Sequence, residues 1–221
     1  MMADVRVSII IPSYNEAQVL GEIINNIMDL YPDFEIIVIN DGSTDDTPSV
    51  AKEAGAILYS HPYNIGNGAA IKSGIRIASG EILVFMDGDG QHKPEDISEM
   101  LKFFPEYDMV VGARSREYRI SFLRDFGNSL LNRLAGYVTK FPVQDLTSGF
   151  RAVKADIASS LLYLLPNTYS YPTTITLAVL RSGRGLKYVP IDVNSRMKGK
   201  SDIRLIRDGL RFFTGIHRIA G

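Results

Sequence analysis

An α/β fold with a mostly parallel central sheet flanked by helices is predicted by three features of the sequence. Through the first hundred residues, short β-branched runs alternate with helical patterns of about 10–15 residues, the signature of βαβ units. The strand-like runs close on turn or acidic residues, at Pro12, Asp41-Gly42 and Asp87. The composition, 45% hydrophobic and 22% charged, is that of an ordinary globular chain, and 221 residues suit one domain.

Each element has its own reason. Val5–Ile11 is β-branched and is expected to stop at Pro12. Ala17–Leu30 carries Val19, Ile23, Ile27 and Leu20, Ile24, Met28 at helical spacing. Phe34–Asn40 reads as the second strand. Thr44–Ala54 reads as a helix capped by Ser43 or Thr44, with Asp45 and Asp46 at its positive end. Ala56–Ser60 is a third strand, Gly68–Ala78 a helix and Glu81–Met86 a fourth strand. Pro94–Phe104 is a helix with proline in its first turn, and Asp108–Gly112 a fifth strand. Beyond residue 113 the pattern predicts helices over Arg124–Thr139, Ala155–Leu165 and Thr173–Arg181, a strand over Leu186–Val193 and a last helix over Ile203–Ala220. Between them lie a polar loop, Asp145–Arg151, and a basic one, Asn194–Asp202. Residues 1–202 are expected to form the domain and 203–221 an appended amphipathic helix.

Composition excludes several classes. With no cysteine there is no disulfide, thiolate zinc site or cysteine nucleophile, and three histidines make a poly-His metal site improbable. The longest apolar runs fall far short of the ~20 residues of a membrane span, and no signal peptide is read, so a cytoplasmic protein is expected. The net charge of −1 conceals a polarity: residues 1–100 hold 16 acidic and 5 basic side chains, and the remainder 9 and 19. A basic second half points to an anionic partner.

In a sheet of this kind ligands bind outside the carboxyl ends of the strands, so the residues after each strand carry the functional information. Asp87-Gly88-Asp89 with Gln91 places oxygen donors at alternating positions after a strand, which suits Mg²⁺ or Mn²⁺. An EF-hand would share Asp87, Asp89 and Gln91, but it fails where His92 replaces the turn glycine and Ser98 the bidentate glutamate. Asp41 stands where such folds meet a ribose or base, and equally where Asp-Gly-Ser makes a turn. Asn194–Ser201 is one residue from a P-loop, yet too few residues follow it for a nucleotide-binding sheet; Arg196, Lys198 and Lys200 nevertheless suit phosphates. Gly66-Asn67-Gly68 is no dinucleotide fingerprint, because Ile71 replaces the third glycine. Arg114, Arg116, Arg119 and Arg124 crowd the stretch after the fifth strand and could bind a second phosphate.

Taken together, these segments resemble the family 2 inverting glycosyltransferases of GT-A fold, and among them the dolichol-phosphate mannose synthase-like polyprenyl-phosphate sugar transferases. The resemblance is carried by Ile9–Glu16, Asn40–Asp45, Asn64–Gly68, Asp87–His92, Gly112–Arg114, Asp145–Arg151, and Arg196 with Gly199-Lys200-Ser201. It implies a nucleotide-sugar donor held by Pro12, Tyr14, Asn15, Glu16, Asp41 and Gly68. It also implies a metal on Asp87, Asp89 and Gln91, a lipid phosphate on Arg114 and Arg124, and Arg196 with Lys200 closing over the donor diphosphate. The implied reaction moves a hexose, mannose from GDP-mannose before glucose from UDP-glucose, to polyprenyl or dolichyl phosphate, with no nucleic-acid partner. Two departures stand out. Asn40 replaces the first Asp of the usual Asp-Asp-Gly-Ser, and Asp202 stands where Lys commonly follows Gly-Lys-Ser, with Arg204 a substitute. A polysaccharide or protein hydroxyl as acceptor would need a general base, for which Asp145 is the candidate. A nucleotidyltransferase would carry a Gly-rich basic loop after its first strand, which Pro12–Glu16 lacks; a nucleotide-sugar binding protein is the remaining alternative.

In the terminal segment, Arg204, Arg207, Arg211 and Arg218 fall within a stripe of about 60°, opposite an apolar arc of roughly 200°. Such a helix suits either the surface of an anionic membrane, here the cytoplasmic face, or a groove against another subunit. The membrane reading predicts that the protein floats with anionic liposomes at low salt and is released by salt. It also predicts that deleting residues 203–221 from a still-folded chain abolishes flotation. Absence of flotation at low salt leaves the subunit groove.

Overall fold

The computed structural model describes residues 5–114, 132–133, 135–137 and 139–193. The chain runs β1 (Val7–Ser13), α1 (Ala17–Leu30), β2 (Glu35–Asn40), α2 (Thr47–Glu53), β3 (Ile57–Ser60), α3 (Asn67–Ile77), β4 (Ile82–Phe85), α4 (Asp96–Leu101), β5 (Met109–Arg114), β6 (Arg151–Lys154), α5 (Ala155–Ser160), α6 (Tyr171–Arg181) and β7 (Leu186–Ile191). The strands form one seven-stranded sheet in the order β3-β2-β1-β4-β6-β5-β7. β6 is antiparallel to both neighbours, and the other pairings are parallel.

Both faces of the sheet are covered, so its strands are apolar on both sides. Ile9, Ile11, Ile36, Val38 and Val84 pack with Leu20, Ile24 and Ile27 of α1 and Ile97 and Met100 of α4. Ile10, Ile37, Ile39, Leu83 and Phe85 face the opposite layer, with Ile71 and Ile75 of α3, Ile157 of α5 and Ile175 of α6. Ile9, Ile10 and Ile11 are fully buried, and each such side chain contributes roughly 1.5–3 kcal/mol. Among the described residues no helix is long and apolar enough to cross a membrane.

The expected elements recur with instructive differences. β1 continues through Pro12 to Ser13 instead of stopping before it. Ile10 O accepts Met86 N on the β4 side, whereas Ser13 O accepts Asp41 N on the β2 side. By alternation Pro12 points toward β4, whose pairing with β1 ends at Phe85, so its missing N–H forfeits no ladder bond. Helix α2 starts at Thr47 rather than Thr44. Asp45 Oδ1 accepts the Thr47 backbone N–H, and Asp45 Oδ2 that of Ala17 (3.0 and 3.3 Å), so Asp45 belongs to a loop junction, while Asp46 is the N-cap residue of α2. α4 and α5 are shorter than expected. β6 was hidden in sequence because it begins at Arg151, the end of a polar loop, and runs straight into α5 at Ala155. Of the helix expected over 124–139, residues 132–133, 135–137 and 139 are described and helical. The segments 194–202 and 203–221 lie outside the described residues.

Helix α3 approaches β1 so closely that a Cβ on Gly74 would lie 2.3 Å from Ile10 Cγ2. Gly74→Ala therefore sets two effects against each other. Alanine gains up to about 1 kcal/mol of helix propensity, while overpacking costs about 1–3 kcal/mol. Net destabilisation is expected, read as a lower midpoint in urea unfolding.

Candidate active site

The carboxyl ends of β1, β2 and β4 open on one edge, and their loops are laced together by side chains. Asn15 takes positive φ (56°). Its N–H donates to Ser43 Oγ (3.0 Å), and its Oδ1 accepts Thr44 N–H (2.8 Å). Glu16 N–H donates to Thr47 Oγ1 (2.9 Å). Asn15 thus joins the β1 and β2 loops through both its backbone and its amide. Pro12 ends the buried part of β1, and Tyr14 stands 39% exposed at the rim beside Glu16. Asn40 also has a structural use: its Nδ2 donates to Ser60 Oγ (3.1 Å) and its Oδ1 accepts Ser43 N–H (2.9 Å).

Asp41 is buried, and its carboxylate organises the next loop. Oδ1 receives His61 Nδ1 (2.6 Å) and Ile65 N–H (3.0 Å), and Oδ2 receives Gly66 N–H (2.8 Å). His61 Nε2 lies 2.9 Å from the Ser73 hydroxyl. One carboxylate therefore ties β2 to the 61–66 segment and, through His61, to α3. Gly68 turns inward: a Cβ there would lie 2.1 Å from Pro166 O and 2.8 Å from Thr168 O, so glycine serves the close approach of that backbone. His61 was missed in sequence because its only visible trait was a place beside a turn.

Past β4, Asp87, Asp89 and Gln91 share one short loop. Asp89 is buried and its Oδ1 accepts Gln91 N–H (3.1 Å). Gly149 lies against Asp87, where a Cβ would come within 2.7 Å of Oδ2. His92 is buried and stacked on Phe150 with ring centroids 4.9 Å apart. Burial pushes its imidazole down to about 4, so it is neutral at physiological pH, and its Nδ1 has no hydrogen-bond partner. Among the described residues no three His, Asp or Glu side chains converge as a complete metal cage. Two carboxylates and an amide oxygen are a hard, incomplete donor set, which fits a divalent cation whose remaining ligands come from a diphosphate and water.

Arg114 ends β5 and meets Asp145 in a two-pronged ion pair, Nε to Oδ2 at 2.9 Å and Nη2 to Oδ1 at 3.1 Å. Nη2 also donates to Thr147 Oγ1 (2.7 Å), and Asp145 Oδ1 further accepts the N–H groups of Thr147 and Ser148. Burial acts to raise the Asp145 carboxyl, but the hydrogen bonds and charge of Arg114, with Thr147, outweigh it and hold the group below the ordinary carboxylate range. The other anticipated cations, Arg116, Arg119, Arg124, Arg196, Lys198 and Lys200, lie outside the described residues.

The mostly parallel sheet, with the acidic loop after β4 and the cation at the end of β5 on one edge, is that of a GT-A fold. Residues 8–162 match the model of Glycosyl transferase family 2, and the chain belongs to that family. It is 31% identical over 224 residues to glycosyltransferase AglJ of Haloferax volcanii, covering 97% of this chain and 72% of that one. It is 29% identical over 167 residues to the undecaprenyl-phosphate 4-deoxy-4-formamido-L-arabinose transferase of Proteus mirabilis, covering 71% of this chain and 51%, about half, of that protein. In fold it is similar to Mycobacterium tuberculosis glucosyl-3-phosphoglycerate synthase, solved with Mn²⁺, UDP and glucosyl-3-phosphoglycerate. The TM-score is 0.80 at 20% identity, covering 100% of this chain and 81% of that one.

A carboxyl group held low in the folded state stabilises that state above its unfolded pKa, and the gain is lost as pH falls through the folded value. Asp145→Asn is expected to be less stable than the parent at neutral pH, by about 3–5 kcal/mol if Arg114 is left unpaired. The difference should shrink toward zero at an acid pH below that lowered value, where Asp145 itself is protonated. Urea unfolding at the two pH values measures it.

Proposed function

We propose that this protein transfers a hexose from a nucleotide sugar to a polyprenyl or dolichyl phosphate, with inversion, at the cytoplasmic face of a membrane. The observation that carries this reading is the Arg114–Asp145 pair. A hydroxyl acceptor needs a base, and Asp145 is a poor one: its carboxyl is held low and its oxygens are taken by Arg114, Thr147 and Ser148. A phosphate monoester is ionised at neutral pH and needs no base; it needs an oriented cation. Asp145 and Thr147 take the Nε and Nη2 donors of Arg114 and so fix the plane of its guanidinium at the end of β5. The relative that acts on undecaprenyl phosphate supports the same acceptor class.

On this reading an acceptor phosphate oxygen attacks the anomeric carbon as the bond to the nucleoside diphosphate breaks on the opposite face, which inverts the centre. The laced loops after β1 and β2, with Pro12, Tyr14, Glu16 and Asp41, seat the nucleoside. Asn15 and Gly68 act through the backbone they hold. Mg²⁺ or Mn²⁺ on Asp87, Asp89 and Gln91 would neutralise the departing diphosphate. Mn²⁺ and UDP in the mycobacterial synthase support that assignment. Arg124 completes the acceptor phosphate site, and Arg196 with Lys200 clamps the donor diphosphate. Alignment of two anions, rather than proton transfer, supplies the catalysis. GDP-mannose is the donor we favour from the sequence resemblance; UDP-glucose, bound by a related solved structure, is tested beside it.

The test uses radiolabelled GDP-mannose and UDP-glucose with a short-chain polyprenyl phosphate or the free polyprenol, read by solvent extraction. Label is expected in the lipid phosphate alone, dependent on Mn²⁺ or Mg²⁺ and lost in EDTA. Asp89→Ala should reduce transfer at least about 100-fold, a loss of ~2.7 kcal/mol or more of transition-state stabilisation, while the circular dichroism stays that of the parent. Equal transfer to the free alcohol overturns the proposed acceptor, and full Asp89→Ala activity overturns the metal site.

A further inference from the structure

Arg151 is among the largest fully buried side chains of the described residues. It opens β6 at the ligand edge, in register with Phe85 of β4, two residues before Asp87, and with Val111 of β5, three residues before Arg114. Its Nη1 donates to Pro172 O (2.9 Å) and Thr176 Oγ1 (3.0 Å) on α6, and its Nη2 to Ser148 O. Nε has no partner. Among the described residues it forms no ion pair. An arginine stays charged in proteins, and a buried charge without a counter-ion is costly.

The hydrogen bonds alone do not call for that charge. Two carbonyls and a hydroxyl are neutral acceptors, which a neutral amide can also serve. The tyrosines beside it do not neutralise it: burial pushes the hydroxyls of Tyr171 and Tyr188 up, Tyr188 to about 12. The negative charges that Arg151 feels are Asp145 and Asp87, both on the site side. Ser148, which it holds, lies in the loop that carries Asp145 toward Arg114 and presses Gly149 on Asp87.

We propose that Arg151 is a positioning residue whose buried charge, not only its hydrogen bonds, holds the Asp145–Gly149 loop against Asp87 and favours a diphosphate in the donor site without touching it. The inference rests on the nucleotide-sugar reading above. A fixed charge in a region closed to water acts with little screening and needs no reorganisation.

The experiment compares the full chain with Arg151→Lys, which keeps the charge but loses the fork, and Arg151→Gln, which keeps amide donors but loses the charge. With Mn²⁺ present, affinities for UDP and GDP are measured by calorimetry, and those for uridine and guanosine by ligand-observed NMR. Arg151→Gln should lower the diphosphate-to-nucleoside affinity ratio about tenfold or more, with nucleoside affinity unchanged; Arg151→Lys should keep the ratio within about threefold of the parent. Equal weakening of nucleoside and diphosphate by Arg151→Gln identifies a purely structural clamp and overturns the proposal, as does a parent-like ratio in that variant. If Arg151→Gln does not fold, Arg151→Lys decides: a retained ratio supports the role of charge, and a tenfold fall overturns it. If the parent binds neither UDP nor GDP, the nucleotide-sugar reading fails and takes this inference with it. Parent binding with an unaltered Gln variant removes the inference alone.

Discussion

Because β6 runs against β4 and β5, the chain enters the sheet there at the edge where the parallel strands leave it. The Asp145–Phe150 segment is thereby delivered to the carboxyl ends of β4 and β5, beside Asp87 and Arg114. A parallel strand in that position would have brought its preceding loop to the far side. The consequences are local and specific. Asp145 reaches Arg114, Gly149 meets Asp87, and Phe150 stacks on His92. The glycine is forced by space, since any side chain would collide with the Asp87 carboxylate. The acidic loop and Arg114 are therefore two ends of one packed arrangement.

The edge at β1 and β2 is built differently. Its loops are short, polar and joined mainly by side chains that satisfy backbone N–H groups: Ser43 for Asn15, Thr47 for Glu16, Asp45 for Ala17 and Asp41 for Ile65 and Gly66. These backbone donors lie outside the strand and helix ladders, and side chains take the place of ladder partners. The same residues read as nucleoside contacts from sequence alone are thus partly scaffold, and the rim that can face a ligand is narrower than the motif. Asn40 illustrates the point. An aspartate there would lack the amide donor that reaches Ser60 and would set a second buried carboxylate beside Asp41.

Much of this was legible in the sequence. α1 has the bounds that its apolar spacing predicts, Ala17 to Leu30, because a 14-residue amphipathic stripe leaves little freedom. The three loops after β1, β2 and β4 were placed on one edge by topology alone. What escaped depended on contacts far apart in the chain. β6 opens on a charged residue and runs straight into α5, and Arg151 looked like the end of a loop until its strand partners were known. Pro12 stops a strand only where its N–H has a partner to lose. Asp45 reads as a residue of the helix but bonds across to Ala17, and the helix begins one residue after its N-cap, Asp46.

Two side chains near the edge, Asp145 and His92, are of types that enzymes use as bases, and each is made unfit in its own way. Asp145 is ionised but engaged: five hydrogen bonds converge on its two oxygens, and accepting a proton would forfeit the Arg114 pair. His92 is neutral, but it lies buried on Phe150, and taking a proton there would set a charge in a place that already pushes its pKa to about 4. Neutralising Asp145 to free a base would remove the carboxylate that pairs with Arg114 and one of the two negative charges that act on Arg151, so the charges constrain one another. An arrangement that spends its carboxylates on orienting cations favours substrates that arrive ionised. Chemistry of that kind is limited by holding two anions in line, which a rigid sheet edge with fixed charges does well.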